Sequence, residues 1–145
     1  MQVIGFNFTK ISAEKFPDFK TGRSINNKIE FTNLEKDKID LIKDSEVVKI
    51  FFEYSLIFTE VEKSDKKDAE IIFKGFMVLS LEKDEAKEIL KSWKKKELPP
   101  SLKITLFNIL LKKCAAKSLT LEEELGLPPH MAIPQLTPKP AEESA

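Results

Sequence analysis

The sequence predicts an α+β fold, a four-stranded antiparallel sheet followed by two helices, and three observations predict it. Apolar residues recur with period two from the start of the chain to Leu81, which is the spacing of strands. From Glu82 the period becomes helical. The two strongest strand patterns are separated only by a charged turn, Lys63 to Asp68, so they pair as a hairpin rather than through a crossover.

Val3 to Ile11 reads as the first strand, with Ile4, Phe6 and Phe8 on one face and Asn7 and Thr9 on the other. Glu14 to Asn27 reads as a long connection that carries two large aromatics, Phe16 and Phe19, with Pro17 and Gly22. Lys28 to Leu34 is the second strand, with Ile29 and Phe31 inward, and Ile39, Leu41 and Ile42 are candidates to extend it. Val47 to Val61 is the clearest strand: Val48, Ile50, Phe52, Tyr54, Leu56 and Phe58 fill one register without interruption. Ala69 to Leu81 is the fourth, with Ile71, Phe73, Gly75, Met77, Leu79 and Leu81 in its stronger row. Setting strong face against strong face, the expected hairpin opposes Phe58 to Phe73, Tyr54 to Met77 and Ile50 to Leu81.

The first helix begins with Glu82, Asp84 and Glu85 and ends among Lys91, Lys94, Lys95 and Lys96, a charge order that complements the helix dipole. Its apolar stripe is Ala86, Ile89, Leu90 and Trp93. Leu98-Pro99-Pro100 stops it, because proline bars the residue before it from the helical region. A second helix opens at Pro100 or Ser101 and runs to about Lys117, apolar around most of its circumference, and is expected to be buried on several sides. Thr120-Leu-Glu-Glu123 reads as a capping box for a separate short turn that Gly126 ends. Pro128 to Pro140 is extended, pinned by Met131, Ile133 and Leu136. The expected division is a domain over 1–136 and a disordered tail over 137–145.

Composition narrows the function classes. The net charge is +0, and Arg23 is the only arginine among the basic residues, so neither the field nor the bidentate donors of a nucleic-acid binder are present. No run of about 20 apolar residues spans a membrane, and no apolar leader opens the chain. The single thiol, Cys114, suits a reducing, cytoplasmic setting. It sits among Leu110, Leu111 and Ala115 and reads as core rather than nucleophile. His130, the only histidine, lies in the proline-rich tail and reads as a surface residue. No nucleophile–base pair, metal-ligand spacing or phosphate loop occurs, so neither enzyme nor cofactor is expected. The lysines near the helix ends fit dipole compensation better than an RNA surface.

The sheet carries too much apolar surface for two helices to shelter. With one face covered, the other still presents Phe51, Ile57, Ile72, Phe76 and Val78, with Phe16 and Phe19 nearby. Patches of that size mark interaction surfaces. A second copy of the chain, a fixed partner or a client polypeptide would each cover it.

The order of these elements resembles that of the SecB export chaperones and their SecB-like relatives. Ile72-Phe73-Lys74-Gly75-Phe76 is similar to the glycine–aromatic step of that family's fourth strand. Leu98-Pro99-Pro100 with Leu102 to Lys117 resembles its proline-initiated second helix, and Leu127-Pro128-Pro129 to Ile133-Pro134 its C-terminal segment. Thr9 to Glu14 resembles the end of its first strand. The likeness implies a cytoplasmic holdase for protein export or targeting, without cofactor, assembled as a dimer or dimer of dimers. It implies that Phe16 and Phe19 wall a groove for unfolded polypeptide clients. Phe51, Ile57, Ile72, Phe76 and Val78 are then client or subunit contacts. The helix reads Ile104-Thr105-Leu106-Phe107 where the family has a proline–aromatic–alanine–arginine run, and Glu14 alone matches its acidic docking surface for the SecA motor. A non-catalytic adaptor for one specific protein is the competing expectation.

Overall fold

The computed structural model describes residues 1–19, 24–37, 45–60 and 66–132. Four strands, β1 (Gln2–Lys15), β2 (Ser24–Asp37), β3 (Ser45–Thr59) and β4 (Ala69–Glu82), precede two helices, α1 (Lys83–Trp93) and α2 (Pro100–Leu125). The expected α+β class and element count are therefore observed. The sheet is antiparallel throughout, in the order β1-β4-β3-β2. The most alternating sequences, β3 and β4, occupy the centre. β1 and β2 lie at opposite edges, so the end of β1 and the start of β2 are three strand spacings, about 14 Å, apart.

The edge strands are longer than their apolar patterns, while β3 lies two residues earlier than expected and Val61 is outside the described residues. β1 runs on to Lys15 and β2 starts at Ser24, so the aromatic connection is shorter than Glu14 to Asn27. Polar edge residues keep the ladder going where periodicity fades. The proposed extension at Ile39, Leu41 and Ile42 lies outside the described residues.

The hairpin register differs from the expected one by an even slip. β3 and β4 pair Phe58 with Ala69, Tyr54 with Phe73, Phe52 with Gly75 and Ile50 with Met77. An even slip keeps strong face on strong face, so periodicity alone could not select it. Gly75 does. A Cβ at this position would run into the backbone oxygen of Asn7 and lie 2.9 Å from Phe52 Cζ. Only glycine admits the Phe52 ring, which packs 5.3 Å from the Phe6 ring and 6.2 Å from Phe8.

Both edge strands carry register shifts, β1 between Val3 and Gly5 and between Phe8 and Lys10, β2 between Phe31 and Asn33. The first displaces Ile4, which is 46% exposed instead of sharing the face of Phe6 and Phe8. Shifts of this kind also hinder pairing of an open edge with another chain.

Both helices pack on the face formed by the even-numbered residues of β3. Val48, Ile50, Phe52, Tyr54, Leu56 and Phe58 join Ile71, Phe73, Met77 and Leu79 of β4 in one core with Ala86, Ile89, Leu106, Leu110 and Cys114 of the helices. Burying each large apolar side chain here contributes roughly 1.5–3 kcal/mol. α1 starts at Glu82, whose side chain and that of Glu85 form a capping box. Pro100 opens α2, where its missing N–H costs nothing.

α2 corrects two expectations. It runs unbroken through Thr120, whose hydroxyl donates to the Ala116 carbonyl (3.3 Å) instead of capping a new turn. It ends as expected at Gly126, φ 67°, where Gly126 N–H reaches the Glu123 carbonyl and Leu127 N–H the Glu122 carbonyl. And it is not buried all round. Its buried residues, Leu106, Leu110, Cys114, Ser118 and Glu122, recur every fourth position as a single ridge. Ile104 is 62% exposed and Leu111 40%.

His130 departs from its surface reading. Its Nδ1 lies 2.6 Å from Glu122 Oε1, and the two side chains are 6% and 2% exposed. The pair fastens the proline segment after Leu127 onto α2. Met131 is 46% exposed and pins nothing, while Ile133, Leu136 and the tail over 137–145 lie outside the described residues.

Candidate functional site

The seven candidate residues separate into two groups. Five of them, Phe51, Ile57, Ile72, Phe76 and Val78, lie on the sheet face turned away from the helices. All five are partly exposed, and none belongs to the core cluster. Phe19 lies elsewhere: it packs against the helix-side core, with Lys15 Nζ 5.8 Å from its ring. Phe16 is partly exposed and is held by its backbone, its N–H donating to the Asp68 carbonyl and its own carbonyl accepting from Phe19 N–H, both 3.0 Å.

Cross-strand pairing builds the outer face in detail. Phe51 stands directly opposite Phe76, their ring centroids 5.5 Å apart. Val78 is opposite Lys49, whose ammonium sits 4.9 Å from the Phe76 ring. On the other side Gly5 leaves room for Val78, since a Cβ there would come within 3.2 Å of Val78 Cγ2. Ile72 faces Ser55 and Ile57 faces Glu70. Between these groups Glu53 and Lys74 stand opposite each other. The face is thus two apolar islands, Phe51–Phe76–Val78 and Ile57–Ile72, parted by a pair of opposite charges. Among the described residues, no helix or strand packs over it.

The helix side adds two grooves that periodicity did not single out. One, roughly 440 Å³, lies between β2 and the start of α2 and is lined by Ile29, Phe31, Trp93, Leu98, Lys103 and Phe107. Phe31 and Phe107 are stacked there at 5.2 Å. Lys103 Nζ lies 5.5 Å from the Phe107 ring and Lys96 Nζ 5.6 Å from Trp93. The other, roughly 490 Å³, lies between β1 and the second half of α2, where Ile11, Lys113, Ala116, Lys117, Leu121 and Glu124 line it. Lys113 and Lys117 hold their ammoniums 5.2 and 5.5 Å from the Phe6 and Phe8 rings. The signal in the sequence was the spacing of Lys103, Lys113 and Lys117 along α2, legible only once the helix's orientation is known.

Under the last turns of α2 the core carries polar groups. Tyr54 OH, Ser118 Oγ and Glu122 Oε2 are buried without a hydrogen-bond partner among the described residues. Burial pushes the Tyr54 hydroxyl upward. Cys114, on the same ridge, is pushed up to about 12 by burial alone, which leaves it an unreactive thiol. Among the described residues no group of three or more His, Cys, Asp or Glu is placed to hold a metal, and no helix is long and apolar enough to cross a membrane.

No family model matches the chain, and no curated protein does. Among solved structures the chain is similar to the Mycobacterium tuberculosis Rv1957 SecB-like chaperone, solved in complex with a ChAD peptide from the Rv1956 HigA1 antitoxin. The TM-score is 0.49 at 15% sequence identity, covering 95% of this chain and 92% of that chain.

Proposed function

We propose that this protein is a non-catalytic holder of other polypeptides, a holdase that keeps non-native chains apart and works as a homo-oligomer. One observation carries the reading: the central strands are apolar on both faces, while both helices lie on one. Phe51, Phe76 and Val78 stay partly exposed on the other. An exposed apolar island is costly in water and gains from any apolar side chain that covers it, irrespective of sequence, because the hydrophobic effect has no direction. The grooves beside α2 add aromatic surface of the same kind. The motif order shared with the SecB export chaperones agrees with this role.

The test is thermal aggregation of an unrelated protein followed by light scattering, with this protein added in stoichiometric amount. Suppression is expected. A folded protein that leaves the aggregation curve unchanged removes the proposal.

A second reading has its own observation. The Glu53–Lys74 pair divides the outer face into a fixed pattern of apolar and charged positions, which suits one shaped partner better than any unfolded chain. An adaptor of that kind would bind one protein selectively and suppress no general aggregation.

A further inference from the structure

We infer that the segments this protein holds are acidic, apolar side chains set among aspartates and glutamates, and that the lysines along α2 select them. The inference rests on the polypeptide-binding reading and adds the chemistry of the client.

The chain as a whole is neutral, yet the stretch between the acidic start of α1 and the acidic end of α2 is not. Between Lys91 and Leu121 there are eight lysines and one carboxylate, Glu97. None of these lysines has a carboxylate partner among the described residues. Four of them, Lys96, Lys103, Lys113 and Lys117, lie over aromatic rings instead. On the rim of the first groove Glu30 is already paired with Lys28 at 2.9 Å. Glu97 lines the first groove beside Lys96 and Lys103, and Glu124 the second beside Lys113 and Lys117, so each groove offers apolar floor with two ammoniums against one carboxylate that no lysine pairs among the described residues.

That combination fixes the complementary ligand. A carboxylate arriving next to an apolar residue gains an ion pair without breaking one inside the protein. A lysine or arginine in the same place meets like charge. The ring faces favour protein over nucleic acid. Phe31 and Phe107 stack on each other with their planes 12° apart, and lysines cover the rings of Trp93, Phe107, Phe6 and Phe8, so little free face remains for a base.

The experiment uses the full chain and three labelled unstructured peptides with the same apolar residues in the same order. Their spacers are Asp/Glu, Ser/Gln or Lys/Arg, and binding is read by fluorescence anisotropy. Several partly exposed ion pairs give the acidic peptide an advantage of about tenfold over the neutral one at low salt, and the gap closes as salt is raised. The triple substitution Lys103→Gln, Lys113→Gln, Lys117→Gln, checked by circular dichroism to be folded, brings the acidic peptide down to the affinity of the neutral one. Equal binding of all three peptides by the native chain overturns the inference and leaves the polypeptide-holding reading in place. Binding of none of them by folded protein overturns both. An unstructured RNA oligonucleotide that binds more tightly than the acidic peptide, with a steeper salt dependence, also overturns it.

Discussion

At the scale of single residues, Gly75 and His130 do more than their positions in the sequence suggest. Gly75 sets the hairpin register by yielding space to the Phe52 ring and the Asn7 carbonyl. Replacing it with alanine forces backbone apart in the middle of the sheet. Gly75→Ala should lower unfolding free energy in urea by about 2–3 kcal/mol, the usual cost of overpacking a core. His130 partners a carboxylate that is otherwise buried. Its removal leaves the buried Glu122 carboxyl without its 2.6 Å partner, so His130→Ala should cost about 3 kcal/mol. Replacing both residues with apolar ones of similar volume should cost less than that single change. A double replacement as costly as the single one would show that the Glu122–His130 contact itself stabilises the fold, beyond the penalty of leaving one partner unsatisfied. Titration gives an independent check on the same core. The folded-state values of Cys114 and Tyr54 are both raised, so the folded protein holds these protons longer than the unfolded chain does. The Cys114 contribution to stability is complete below the ordinary thiol value of 9.0 and is lost as pH climbs from there toward about 12; that of Tyr54 is likewise lost only as pH rises past its ordinary value of 10.0. Thiol labelling should accordingly be slow at neutral pH unless denaturant is present.

At the scale of elements, faces were easier to read than registers or ends. From Val48 to Phe58 the side chains of β3 alternate as the sequence implies, because burial on one face imposes period two. The slip of the hairpin was invisible, since sliding by an even number preserves both faces, and only the Gly75–Phe52 contact distinguishes the alternatives. Edge shifts at Ile4, Thr9 and Thr32 left no mark in the polarity pattern. The five outer-face candidates were legible for the same reason as the core. The charged division between them required the register. α2 misleads because its composition is apolar on most sides while its contact with the sheet is one ridge. That difference is measurable. Ile104 is largely exposed, so Ile104→Ala should change stability by less than about 0.5 kcal/mol, as surface changes do. Leu110, fully buried on the ridge, should cost about 3 kcal/mol when cut to alanine. Equal costs in urea titrations would return α2 to the interior of a larger assembly.

At the scale of the whole molecule, the outer sheet face has the dimensions of a subunit interface. Four strands at the usual spacing and some fourteen residues of extended chain give a face about 19 Å by 46 Å, roughly 900 Å². That is close to the approximately 800 Å² per partner of a standard stable interface. Its pattern also suits a twofold pairing. Two copies related by a dyad through the middle of the face would set each copy's Glu53 against the other's Lys74 and leave apolar islands in contact. The protein should then run as a dimer or larger in multi-angle light scattering. Phe76→Asp should shift it to monomer while keeping the fold, because Phe76 is outside the core cluster. Charge reversal separates this pairing from generic stickiness. Glu53→Lys alone sets like charges across the dyad and should weaken association; adding Lys74→Glu to the same chain should restore it. Association that survives Glu53→Lys unchanged would move the interface off this face, and the apolar islands would then be free for the polypeptides the protein is proposed to hold.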